Sequence, residues 1–190
     1  MNPDRRRQIL DAALACFLEK GYAATSVADI RTRSGASTGS IYHFFSGKGG
    51  LAEALLREAV SGWASLSAAA LDPTATAEQA LKASVRGLML WAFEHPAQFR
   101  FMEEVRSFAP ADPDFAAVRN LLDEGQALGA AQYARMTLDG AVRNLPFAIA
   151  HALMLGPAYA YLRLAHATPP DQATRVADLF AEAAWQAVRA

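Results

Sequence analysis

Between Thr25 and Leu51 the chain reads TSVADIRTRSGASTGSIYHFFSGKGGL, and no other stretch limits its fold as tightly. Ser26, with Asp29 three residues on, has the reciprocal pattern that opens a helix. A hydroxyl accepts from the third residue's N–H while the acid reaches back to the cap. Val27 and Ile30 then share one side of that helix and point inward. Gly35 stops it, because a sharp exit needs the left-handed backbone that glycine adopts without penalty. Ser37 caps a second short helix carrying Ile41, Tyr42 and Phe45. Two short helices around a tight glycine turn make a helix-turn-helix.

Such a unit is built for phosphates and grooves. Free N–H groups and the dipole make helix N-termini attractive to anions, and Thr25/Ser26, Ser37 and Lys48 each mark such a start. Early residues of the second helix face base edges in the major groove, which points to Thr38, Gly39 and Ser40. Gly39 lets the backbone approach closely, while Thr38 and Ser40 can donate or accept. Tyr42 and His43 are placed to touch phosphates at the flank of the groove. Charge agrees: residues 1–50 carry seven basic and four acidic side chains, +3 in a chain of net −1. A basic head on an acidic body suits a protein that offers one end to nucleic acid. The Arg5-Arg6-Arg7 run reads either as a solvated face or as a phosphate arm.

The remainder reads as helix throughout, with β-branched residues sparse and no convincing strand. A first helix spans Pro3 to about Lys20, capped by Asn2 and ended by Gly21. Ile9, Ala13 and Phe17 form one apolar row on it and Leu10, Leu14 and Leu18 the next. Further helices are expected from Lys48 to about Leu71, Ala75 to Glu94, Ala97 to Phe108, Asp114 to Leu138, Arg143 to His166 and Asp171 to Ala190. Proline-rich breaks separate them. The fold class is therefore all-α, about nine helices: a three-helix head, residues 1–47, and a helical body, residues 48–190.

The stretch resembles the TetR family of regulators through Phe17, Gly21, Thr25-Ser26, Ile30, Ser34-Gly35-Ala36-Ser37, Gly39, Ile41-Tyr42, Phe45 and Lys48. The resemblance implies a DNA-binding dimer, usually a repressor, whose C-terminal domain binds a small inducer. In that family Thr38, Gly39, Tyr42, Lys48 and the Thr25/Ser26 cap match positions that contact DNA. Three residues depart from the pattern. Ala28 stands where an arginine often reaches toward DNA. Arg31 replaces a small packed residue, and must snorkel out or reach a phosphate. Phe44 stands where a histidine or tyrosine is common.

In the body, aromatic and sulfur side chains gather around the middle of the chain. The resemblance implies a cavity there, and ligand cavities are mostly apolar. Trp91, Phe99, Met102, Phe115, Leu122 and His151 are the expected ligand contacts, with a hydrophobic small molecule as inducer. The helices over 143–166 and 171–190 carry small residues, among them Ala177, Ala181 and Ala184, and are expected to form a homodimer interface. The four histidines lack metal-ligand spacing, and no glycine loop follows a strand, so the expectation is neither an enzyme nor a metal or cofactor protein. An architectural DNA-binding protein without inducer is the competing expectation. Cys16 is the single cysteine, and a buried thiol is expected. With no signal peptide and no apolar run of about 18 residues, the reading is cytoplasmic, with double-stranded operator DNA as partner and no membrane.

Overall fold

The computed structural model describes residues 3–67, 72, 74–108, 116–164 and 169–190. Among these lie nine helices. They are α1 (Pro3–Lys20), α2 (Val27–Ser34), α3 (Thr38–Phe44), α4 (Lys48–Leu66), α5 (Ala77–Glu94), α6 (Pro96–Phe108), α7 (Ala116–Leu138), α8 (Phe147–Leu164) and α9 (Pro170–Val188). No strand occurs among the described residues; one isolated bridge pairs Val142 with Arg189. No helix there is long and apolar enough to cross a membrane. The expected cap Asn2, the stretch 68–71 and the helix end at His166 lie outside the described residues.

The helix expected from Arg143 begins instead at Phe147. Leu145 precedes Pro146, which disfavours helical backbone at that position. Arg143 is occupied elsewhere, its N–H donating to the Val188 carbonyl at 2.8 Å.

The chain packs as two compact units. The first joins residues 1–60 to 97–122, and the second joins 61–96 to 123–190. In the first, Ile9, Leu10, Ala13 and Phe17 are fully buried, so both rows of α1 face the core. The Phe17 ring stacks on Phe101 of α6 at 5.5 Å. Cys16 is a buried free thiol. Polar ties fix α2 to the end of α1: Lys20 meets Asp29 at 2.5 Å, and Arg33 forks onto both carboxylate oxygens of Glu19.

The second unit is held by close approach. Met89 of α5, Ala158 of α8 and Ala177 of α9 are fully buried together, with Phe93, Tyr161 and Phe180 around them. A Cβ at Gly87 would sit 2.2 Å from Ser67 Oγ and 2.9 Å from the Leu66 carbonyl oxygen, so α5 and the end of α4 meet backbone to backbone. Similarly, a Cβ at Gly62 would meet Trp91 Nε1 at 2.6 Å. Lys82–Glu182 and Arg86–Asp178 pairs bridge α5 to α9 at 2.5 and 2.7 Å. Trp63, Trp91 and Trp185, all of the chain's tryptophans, belong to this unit.

Candidate nucleic-acid interface

The stretch 25–51 folds as its local pattern dictates. Ser26 is the N-cap of α2 and forms a complete capping box with Asp29. The Asp29 carboxyl is held well below the usual carboxylate range, first by the Lys20 ammonium and then by the Ser26 hydroxyl and N–H. Gly35 ends α2 with φ +62°, left-handed as the turn requires. Ser37 caps α3, its hydroxyl accepting from the Ser40 N–H at 3.0 Å. Beyond α3, Gly47 has φ +110° and the Tyr42 ring lies against its backbone, so a side chain there would be strained.

One face of α3 is buried through Ile41, which is fully enclosed, and the chain continues inward through Phe45. The opposite face carries Thr38, Gly39, Tyr42 and His43, all exposed; Tyr42 keeps 57% of its surface. Ser37 is also exposed and Ser40 half-buried. These residues are brought together at spacings of one and four, as one helix face demands.

Two expected contacts are placed differently. Thr25 is 2% exposed. Its hydroxyl donates inward toward the Gly21 carbonyl at 2.8 Å and the Cys16 carbonyl at 3.0 Å. A side chain so used cannot also reach DNA; Thr25 fixes the joint between α1 and α2. Lys48 is half-buried, its ammonium 2.9 Å from the Tyr22 carbonyl, 3.3 Å from that of Ala23 and 4.3 Å above the Tyr22 ring. Two of its three N–H groups are thus engaged, and one remains.

The arginine run is partly solvated, but its guanidiniums are engaged within the chain. Arg5 donates to the carbonyls of Ser34 and Gly35, Arg6 to Glu58, and Arg7 to Asp11 and Glu58. Arg31 differs from all of these: among the described residues it is the one basic side chain of the first fifty without a protein partner, and it is exposed. Arg7 has a local partner in Asp11, but the acceptors of Arg6 and Arg33 lie 52 and 14 positions away, beyond any local pattern.

The pattern defining the tetR family of bacterial regulatory proteins matches residues 9–55. Over 90% of its length the chain is 32% identical to the HTH-type transcriptional regulator BetI of Cronobacter sakazakii, covering 96% of that protein. BetI of Serratia proteamaculans is 30% identical, with 98% of it covered. The chain belongs to the tetR family. Its fold is that of PfmR, a TetR family regulator from Thermus thermophilus, with a TM-score of 0.72 at 24% identity over 94% of this chain and 97% of that one. As a tetR family member it is a transcription regulator that binds DNA through a helix-turn-helix.

The residues expected to contact an inducer are divided between the units. Trp91 and His151 belong to the second, Phe99, Met102 and Leu122 to the first, and Phe115 lies outside the described residues. Trp91, Phe99 and Met102 are buried, while Leu122 and His151 are half-buried. The His151 ring stands edge-on to Phe147 at 5.8 Å.

Proposed function

We propose that this protein is a repressor that binds palindromic operator DNA as a homodimer and lets go when a hydrophobic small molecule binds it. The observation that carries the reading is the exposed face of α3, Thr38, Gly39, Tyr42 and His43, together with the exposed Arg31 of α2. In this reading Thr38 and Ser40 touch base edges, and Gly39 admits the backbone to the groove. Tyr42, His43, Arg31 and the remaining N–H of Lys48 hold phosphates, while Ser26 and Ser37 cap the helices that aim them.

The dimer forms through α8 and α9, but by other side chains than the small ones. Ala181 and Leu155 are 3% and 7% exposed within a single chain, and Ala177 and Ala184 are buried with them. They are already used, because α9 packs against α5 and α8. The outer face of α8 instead leaves Ile149, Leu153, Ala160 and Leu164 exposed, with Leu179 of α9. An apolar stripe of this kind is what a symmetric partner covers.

Selection from a pool of random duplexes tests the reading. It should enrich an inverted repeat whose half-sites lie about one helical turn, roughly 34–36 Å, or a multiple apart. Enrichment of single half-sites would remove the dimer, and no enrichment would remove the reading. Titrating the bound complex with apolar and charged compounds tests release: a tenfold loss of affinity needs about 1.4 kcal/mol of coupling. If only highly charged metabolites release the DNA, the hydrophobic inducer is wrong.

A further inference from the structure

The three arginines at the start of α1 reach three places at once. Arg5 lies against the Ser34 and Gly35 carbonyls, the last acceptors of α2 and the turn immediately before α3. Such carbonyls lack helical partners and sit at the negative end of the dipole, so a guanidinium there fixes the turn. Arg6 lies over the Phe45 ring, 5.5 Å from its centroid, and Phe45 is the C-cap of α3. Consecutive arginines therefore hold the turn that leads into α3 and the cap that ends it.

Arg6 and Arg7 also share one acid, Arg7 pairing with Asp11 as well. Glu58 of α4 offers Oε1 to Arg6 and Oε2 to Arg7, each at 2.9 Å. One carboxylate thus anchors two of the three arginines, and through Arg6 α4 is tied to the C-cap of α3. All of these residues lie in the first unit.

We infer that Arg5, Arg6 and Glu58 are positioning residues that set the angle at which α3 meets DNA. This rests on the DNA-reading role proposed above for α3. Half-exposed pairs add little to stability, and so does a cation over a ring. The network therefore matters little for whether the unit folds. It matters for which orientation of α3 is populated, and a bias of about 1 kcal/mol corresponds to about fivefold in population.

The test uses the full chain, the repeat selected by the wild type, and a random-sequence duplex of equal length. Glu58→Gln should lower the ratio of specific to non-specific affinity about fivefold. Non-specific binding should hold or rise, since two guanidiniums are released toward phosphates. The thermal midpoint should stay within about 2 °C of wild type. Arg6→Lys keeps the charge but loses the planar group over Phe45 and its bond from Nη1 to Glu58 Oε1, and should lower the ratio similarly. The double variant should be no worse than either single one, because both break the same linkage. A ratio within twofold of wild type in both single variants overturns the inference. So does a fall in ratio seen only together with a lowered thermal midpoint, which marks general destabilisation. If the wild type itself prefers no sequence, the failure lies with the DNA-reading role, and this inference goes with it.

Discussion

The two units differ in what fixes their helices most visibly. In the first, directional polar groups fix each helix against its neighbours: a capping box on α2, a hydroxyl cap on α3, the forked Arg33–Glu19 pair and arginines on carbonyls. In the second, α5 meets α9 through buried alanines flanked by the Lys82–Glu182 and Arg86–Asp178 pairs, and meets the end of α4 backbone to backbone at Gly87. Glycine shows the difference most clearly. Gly35 has nothing within 4 Å of a would-be Cβ and is needed for its dihedral angle; Gly87 is needed for its missing atom. Aim is specified by polar atoms, and close packing by small ones.

The largest effect expected from breaking this contrast is at the outer face of α8. Leu153→Arg should leave the fold intact, since that side chain is exposed, yet abolish the dimer in sedimentation. A buried unpaired charge in an interface costs several kcal/mol. A dimer of undiminished stability would move the interface off α8. Next is Gly87→Ala, where the new atom would meet backbone that cannot yield. Overpacking should cost about 3 kcal/mol and lower the midpoint of thermal unfolding by about 10 °C. A shift under about 2 °C would mean that the second unit packs loosely after all. Gly35→Ala should cost less, about 1–2 kcal/mol, because it meets strain and no clash. Gly35→Asn should recover part of that, as asparagine tolerates left-handed backbone; equal losses for both would rule out the dihedral explanation.

The smallest effect is in acid. Asp29 is fully ionised well below the ordinary carboxylate value because Lys20 and Ser26 favour the charged form. A group whose value is depressed on folding stabilises the fold above its unfolded value and loses that contribution as pH falls. Between pH 6 and about 4 the midpoints of wild type and Asp29→Asn should run parallel. Below about pH 4 the wild type should fall more steeply. Parallel curves down to pH 2.5 would show that the Asp29 contacts carry no stability.

What the sequence discloses follows the same division. Ser26–Asp29, Gly35 and Ser37 act on partners at most four residues away, so their spacing alone declares them. Thr25 looks like part of the same cap, yet its acceptors are the Gly21 and Cys16 carbonyls, set by how the end of α1 meets the loop after it. Arg5 and Arg6 have partners 30 and 52 positions distant, invisible to any local pattern. The alanines of α9 were legible as a packing face, but not which neighbour they meet. Small residues permit close approach by a helix of the same chain as readily as by one from a partner, and here α5 takes the place.

Because Trp63, Trp91 and Trp185 all belong to the second unit, the first carries no indole at all. The molecule is therefore built with a one-sided optical label. Its intrinsic emission arises from indoles on α4's end, α5 and α9, and none of them lies on α1, α2 or α3. Trp91 is buried at the Gly62 contact, so its emission is sensitive to any change of that spacing.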